Sequence, residues 1–173
     1  MVSALGNSPW TVFAQGAAER TGLSIGLLTI LIGALLLTAW WPLRQRPGLG
    51  TVANVIVVGI AIDVSLALLA EPATTPVRVA AMLGGIALVA LGSGLYLGSA
   101  LGPGPRDGLM TGLHRVTGRP LFVVRCVLEV SVLAAGVALG GTAGIGTVLF
   151  ALLIGPGVQL VLGLQRGVST GEL

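Results

Sequence analysis

Between Arg20 and Arg44 the chain carries no charged residue, and none occurs between Arg78 and Arg106. About 20 apolar residues in a helix span the roughly 30 Å of a bilayer's hydrocarbon, and runs this long constrain a fold more than any other feature here. Five stretches qualify: residues 22–41, 49–70 (with one charge, Asp63), 79–101, 121–139 and 145–164. Gly140-Gly141-Thr142-Ala143-Gly144 divides the last two, which together are too long for one crossing. In lipid the backbone must satisfy its own hydrogen bonds, so such spans are helices. The sequence predicts an all-α polytopic membrane protein of about five transmembrane helices, in a single domain covering 1–173.

Composition agrees. Only 9% of residues are charged and the mean hydropathy is +1.01, whereas a soluble domain is about a quarter charged. The 28 glycines suit helices that approach closely in lipid. The basic residues are nine arginines with no lysine, scattered between apolar runs, which excludes a nucleic-acid-binding face. Cys126 is the sole cysteine, so no internal disulfide forms. The motifs of nucleotide, zinc, dithiol and serine-hydrolase sites are absent from the sequence. Neither an enzyme, a metal site nor a cofactor is expected.

Arginine placement predicts orientation. Arg44 and Arg46 lie in one connection, Arg106, Arg115 and Arg119 in another, and Arg166 in the tail, while Glu71 and Arg78 lie in an alternate loop. The positive-inside rule puts the first set in the cytoplasm, the N-terminus outside and the C-terminus inside. The expected location is the bacterial plasma (inner) membrane.

Shifted by 96 residues, the chain matches itself without a gap. Ser3-Ala4-Leu5-Gly6 falls on Ser99-Ala100-Leu101-Gly102, Pro9 on Pro105, Gly16 on Gly112, and Thr21-Gly22 on Thr117-Gly118. Gly48, Gly50, Thr51 and Val52 fall on Gly144, Gly146, Thr147 and Val148, and Gly59 falls on Gly155. Matched Pro, Gly-Thr and Thr-Gly positions point to a duplication, with repeat one over 1–71 and repeat two over 76–165. Each repeat reads as a span, a short amphipathic helix opened by proline and closed by Thr-Gly, then two more spans. Three crossings per copy oppose the copies in the membrane, predicting an inverted 3+3 repeat. Its first helix is expected to be missing, and a second copy (a homodimer) or bilayer lipid is expected to fill the groove.

Leu101-Gly102-Pro103-Gly104-Pro105-Arg106-Asp107-Gly108-Leu109-Met110, with Thr117-Gly118, Glu129, Gly144-Ile145-Gly146-Thr147 and Ile154-Gly155-Pro156, resembles the bacterial YczE/YitT-like integral membrane proteins. Ser8-Pro9-Trp10, Thr21 to Gly26 and Gly48-Leu49-Gly50-Thr51 extend the likeness over nearly the whole chain. The resemblance implies a polytopic fold more than an activity.

Ionisable groups within spans cost about 2.5–3.5 kcal/mol at the centre, so each needs a reason. Asp63 and its repeat mate Gln159 are candidates for binding a solute, cation or proton; the alternative is an Asp bonded to its neighbours near an interface. Arg125 and Glu129 share a helix face and form either a structural pair or a site. Arg106 and Asp107 open the second short helix, whose amides with Arg106 could hold an anion, or whose dipole Asp107 simply complements. Gly155-Pro156-Gly157 reads as a helix break or a packing kink. Two functions remain open. One is a small secondary transporter for an unidentified small polar or ionic solute. The other is a membrane scaffold acting through small-residue contacts such as Gly94/Gly98/Gly102 and Gly136/Gly140/Gly144.

Overall fold

The structure is a computed structural model, and it describes residues 5–69, 74–98 and 101–170. Seven helices occur among them: α1 (Pro9–Thr21), α2 (Ile25–Trp40), α3 (Leu49–Leu68), α4 (Thr75–Gly98), α5 (Pro105–Thr117), α6 (Leu121–Ala138) and α7 (Ile145–Thr170). α3, α4, α6 and α7 are each long and apolar enough to cross a membrane, and α2 joins them when counted with α1 as one bent unit. The polytopic all-α class therefore holds, with the turn at Gly140 where the glycines required it, at φ 108°. Glu71 lies outside the described residues.

Local chemistry sets the helix ends. Ser8 caps α1 by accepting from the Thr11 amide at 3.3 Å, and Pro9 follows it, where a missing N–H is harmless. Gly22 and Gly118 close α1 and α5 in the left-handed conformation at φ 73° and 65°. α1 and α2 then meet at 113°, so the short helix folds back against the spans. α5, α6 and α7 begin 96 residues after α1, α2 and α3 respectively.

Packing follows small residues more than apolar stripes. On α5 the buried positions are Pro105, Gly108 and Gly112, while Val116, on the face that amphipathy would turn inward, is exposed. Lipid is as apolar as leucine, so burying a leucine face gains little there and close backbone approach decides which face packs. Gly108 sits under the Trp40 ring, where a Cβ would be 2.0 Å from Cζ2. Trp40 is therefore buried and donates from its indole to the Pro105 carbonyl at 3.1 Å. Trp41 keeps the exposed position. α1 packs along α6 through Gly16 and Gly136, α2 along α3 through Gly26 and Gly59, and α4 along α7.

Of the two readings of Gly155-Pro156-Gly157, a break or a packing kink, the break does not occur: α7 runs on through all three residues. Proline removes one donor and leaves the other backbone bonds intact, a loss that membrane helices tolerate.

Candidate functional site

Two extended segments precede the short helices, and each crosses the start of a span from the other half of the chain. The Leu5 carbonyl accepts from the Gly146 amide at 2.7 Å, and the Leu101 carbonyl accepts from the Gly50 amide at 3.0 Å. Gly6 and Gly102 make the bends at φ 112° and 110°. Beneath them Thr147 and Thr51 are buried, and each hydroxyl accepts from the glycine amide that opens its helix, Gly144 and Gly48. Thr51 also donates to the Pro103 carbonyl at 2.7 Å.

These crossings bring the N-terminal turns of α1 and α5 together. Their C-terminal ends point apart. Arg20, near the end of α1, donates to the Leu139 carbonyl at 3.2 Å, whereas Arg115, near the end of α5, donates to the carbonyls of Leu43 and Arg44. Where the helices meet, the Arg106 guanidinium lies over the Trp10 ring, 5.5 Å from its centroid. Arg106 is set deep among neighbouring atoms, yet its own surface is exposed, so it lines a cleft rather than filling a core. The cleft measures about 40 Å³; Thr11, Thr29 and Asn54 are its other polar residues, and Ile32, Leu36, Val55, Val58 and Ile62 make the rest of its wall largely apolar.

Carboxylates surround this guanidinium without bonding to it. Asp107 is held by the Tyr96 hydroxyl, which itself accepts from the Gly104 amide at 3.1 Å. Glu129 lies in the field of Arg106 first and of Arg125 second, close to the Trp10 side chain. The structure thus assembles Arg106, Asp107 and Glu129, with Arg125 exposed beside Glu129. It sets the other two candidates apart. Asp63 accepts from the Ser24 hydroxyl at 2.6 Å and the Gly26 amide at 2.7 Å, tying α3 to the start of α2. Gln159 is exposed on α7, whose neighbour is α4. No group of three or more metal-ligating side chains occurs among the described residues.

Sequence reading passed over Trp10, Tyr96 and Asn54. A signal for Trp10 existed: under the 96-residue shift it is the mate of Arg106, one residue after the matched prolines. Asn54 had none beyond being an amide in an apolar run, and Tyr96 none beyond being the chain's one tyrosine.

Paired short helices wedged between long apolar ones define a multi-pass membrane protein with a small cleft, mainly apolar, that carries one arginine. Its family follows from similarity: the chain matches the family of unknown function DUF6198 over residues 1–162 and belongs to it. An uncharacterized protein of Haemophilus influenzae is 44% identical over 162 residues, covering 94% of this chain and 74% of the relative. The uncharacterized membrane protein YczE of Bacillus subtilis is 35% identical, over 88% of this chain and 71% of its own length. The uncharacterized protein YyaS of the same organism is 27% identical, over 88% and 78%. No solved structure matches the chain.

Proposed function

We propose that this protein is a small secondary transporter, built as an inverted repeat, that moves a small polar or ionic solute through the cleft between α1 and α5. The observation that carries this reading is the meeting of two short helices at their N-terminal turns, with the mates Trp10 and Arg106 in contact. Mates that touch lie beside the axis relating the two copies. Transporters of this architecture place their sites there, where helix N-termini line a cavity. The reciprocal crossings at Gly6 and Gly102 support the same symmetry.

The test is flux. Proteoliposomes are loaded in turn with chloride, nitrate, formate, sodium, potassium or glycerol. Efflux of at least one should exceed that of empty liposomes and fall to background in Arg106→Gln. No excess efflux of any member would reject transport for small solutes.

We also propose that this is a plasma-membrane protein with an external N-terminus and a cytoplasmic C-terminus. Arg115 bonded to Leu43 and Arg44 places the basic α2–α3 connection and the end of α5 at one end of the molecule, and Arg20 bonded to Leu139 marks the other. In a Cys126→Ser background, an impermeant maleimide added to intact cells should label cysteines at positions 71 and 142 but not at 44 or 119. The reverse pattern would overturn the orientation.

A further inference from the structure

The cleft between α1 and α5 has one formal charge on its lining, and it is positive. The five guanidinium N–H donors of Arg106 make no hydrogen bond to a described residue, and the side chain's one close partner is the face of Trp10. Asp107 and Glu129 are near, but neither lines the cleft. Asp107 is engaged by the Tyr96 hydroxyl, and Glu129 lies in the field of Arg106 without lining the cleft.

Asn54 is the second unfilled group. It lies in the second turn of α3, lines the same cleft and makes no hydrogen bond to a described residue. No fully buried side-chain nitrogen or oxygen among the described residues lacks a partner, so the amide of Asn54 opens onto the cleft rather than into packed protein. A polar side chain in an apolar span is expensive unless something polar meets it. The first turns of α1 and α5 both border the cleft, through Trp10, Thr11, Pro105 and Arg106, and add the positive ends of their helix dipoles.

Size narrows the occupant. A water needs about 10–15 Å³ of such space, so a cleft of about 40 Å³ holds roughly three waters or one compact ion. We infer that Arg106 and Asn54 form a binding site for a small monovalent anion of the size of chloride, nitrate or formate. Cations are opposed by Arg106 and by both helix ends. The inference rests on the transport reading for its biological use, but binding is tested without flux.

Nitrate serves as the probe. The purified protein in neutral detergent is unfolded thermally with rising sodium nitrate, gluconate being used to hold ionic strength constant. A saturable rise in the midpoint is expected, since a ligand of the native state stabilises it by mass action. Arg106→Gln should weaken nitrate by about 10- to 100-fold, the worth of hydrogen bonds to a charged group, with Arg106→Lys recovering part. Asn54→Ala should weaken it by about 2- to 10-fold and decides the matter if Arg106→Gln does not fold. No saturable rise in the parent, or unchanged affinity in Asn54→Ala and in every folded Arg106 variant, would overturn the site. Nitrate binding without flux of any solute keeps the site and ends the transport reading. Flux of another solute without nitrate binding does the opposite.

Discussion

Alanine at Gly6 is expected to cost several times what it costs at Gly22, although both glycines hold a left-handed backbone. Gly6 has φ 112° and Gly22 has φ 73°. At Gly22 a Cβ would meet nothing within 4 Å, so only the left-handed penalty applies, about 1–2 kcal/mol. At Gly6 the same Cβ would lie 2.7 Å from the Gly144 amide nitrogen and 2.8 Å from the Thr147 hydroxyl. Gly144 cannot retreat cheaply, because the next turn of α7 is tied to Leu5 through the Gly146 amide. A shift wide enough to relieve the clash breaks that bond and unseats the buried Thr147. The loss at Gly6 should therefore exceed about 3 kcal/mol, in the range that marks a named structural failure. Gly102→Ala should behave like Gly6→Ala, since its Cβ would sit 2.8 Å from the Thr51 hydroxyl and 3.0 Å from Gly48. Gly118→Ala should behave like Gly22→Ala. Unfolding midpoints of the four variants in one detergent make the comparison. Equal losses at Gly6 and Gly22 would show that the two crossings do not hold the halves together.

The contrast between those pairs also shows what a reader of the residues could and could not extract. Span ends were legible because charge, proline and glycine act locally: α3 starts at Leu49 and α6 at Leu121, as expected, and α7 starts at Ile145 directly after its glycine turn. Matched Pro9/Pro105 and Thr21/Thr117 gave both short helices to the residue. Which faces meet was not legible. In lipid a leucine face gains little from burial, so Gly16, Gly108 and Gly112 select the contacts, and hydrophobic periodicity points elsewhere. Arg106 illustrates the same limit. In the sequence it counts both for orientation and as a candidate anion partner at the start of α5, but nothing there shows that it stands over Trp10 of α1. Asp63 and Gln159 share a repeat position without sharing a site, because Asp63 finds the start of α2 within reach and Gln159 has no such partner on α4.

Glu129→Gln should leave the fold intact and make the anion site bind more tightly. The groups facing Glu129 are Arg106 and Asp107 from α5, Trp10 from α1 and Arg125 from its own helix. Glutamine keeps the size and polarity of the side chain near Trp10, and Arg106 keeps Asp107 beside it, so no charge is stranded by the change. The midpoint should move little. What disappears is a negative charge that competes with any anion for Arg106. In the parent, nitrate affinity should rise as the pH falls, because protonating Glu129 removes that competitor. In Glu129→Gln it should be higher at pH 8, on the order of tenfold at the effective dielectric of a half-buried site, and flat with pH. An anion that enters with a proton on Glu129 is coupled to the proton gradient, so in proteoliposomes the variant should carry nitrate without responding to a pH difference. The opposing picture makes Glu129 a buried counter-ion for Arg106 or Arg125. A lone Gln would then cost about 3–5 kcal/mol, and combining it with Arg106→Gln or Arg125→Gln would restore most of the loss. A destabilised Glu129→Gln rescued in that way, with nitrate affinity still dependent on pH, would mean that the carboxylate holds the helices in place and takes no part in moving a solute.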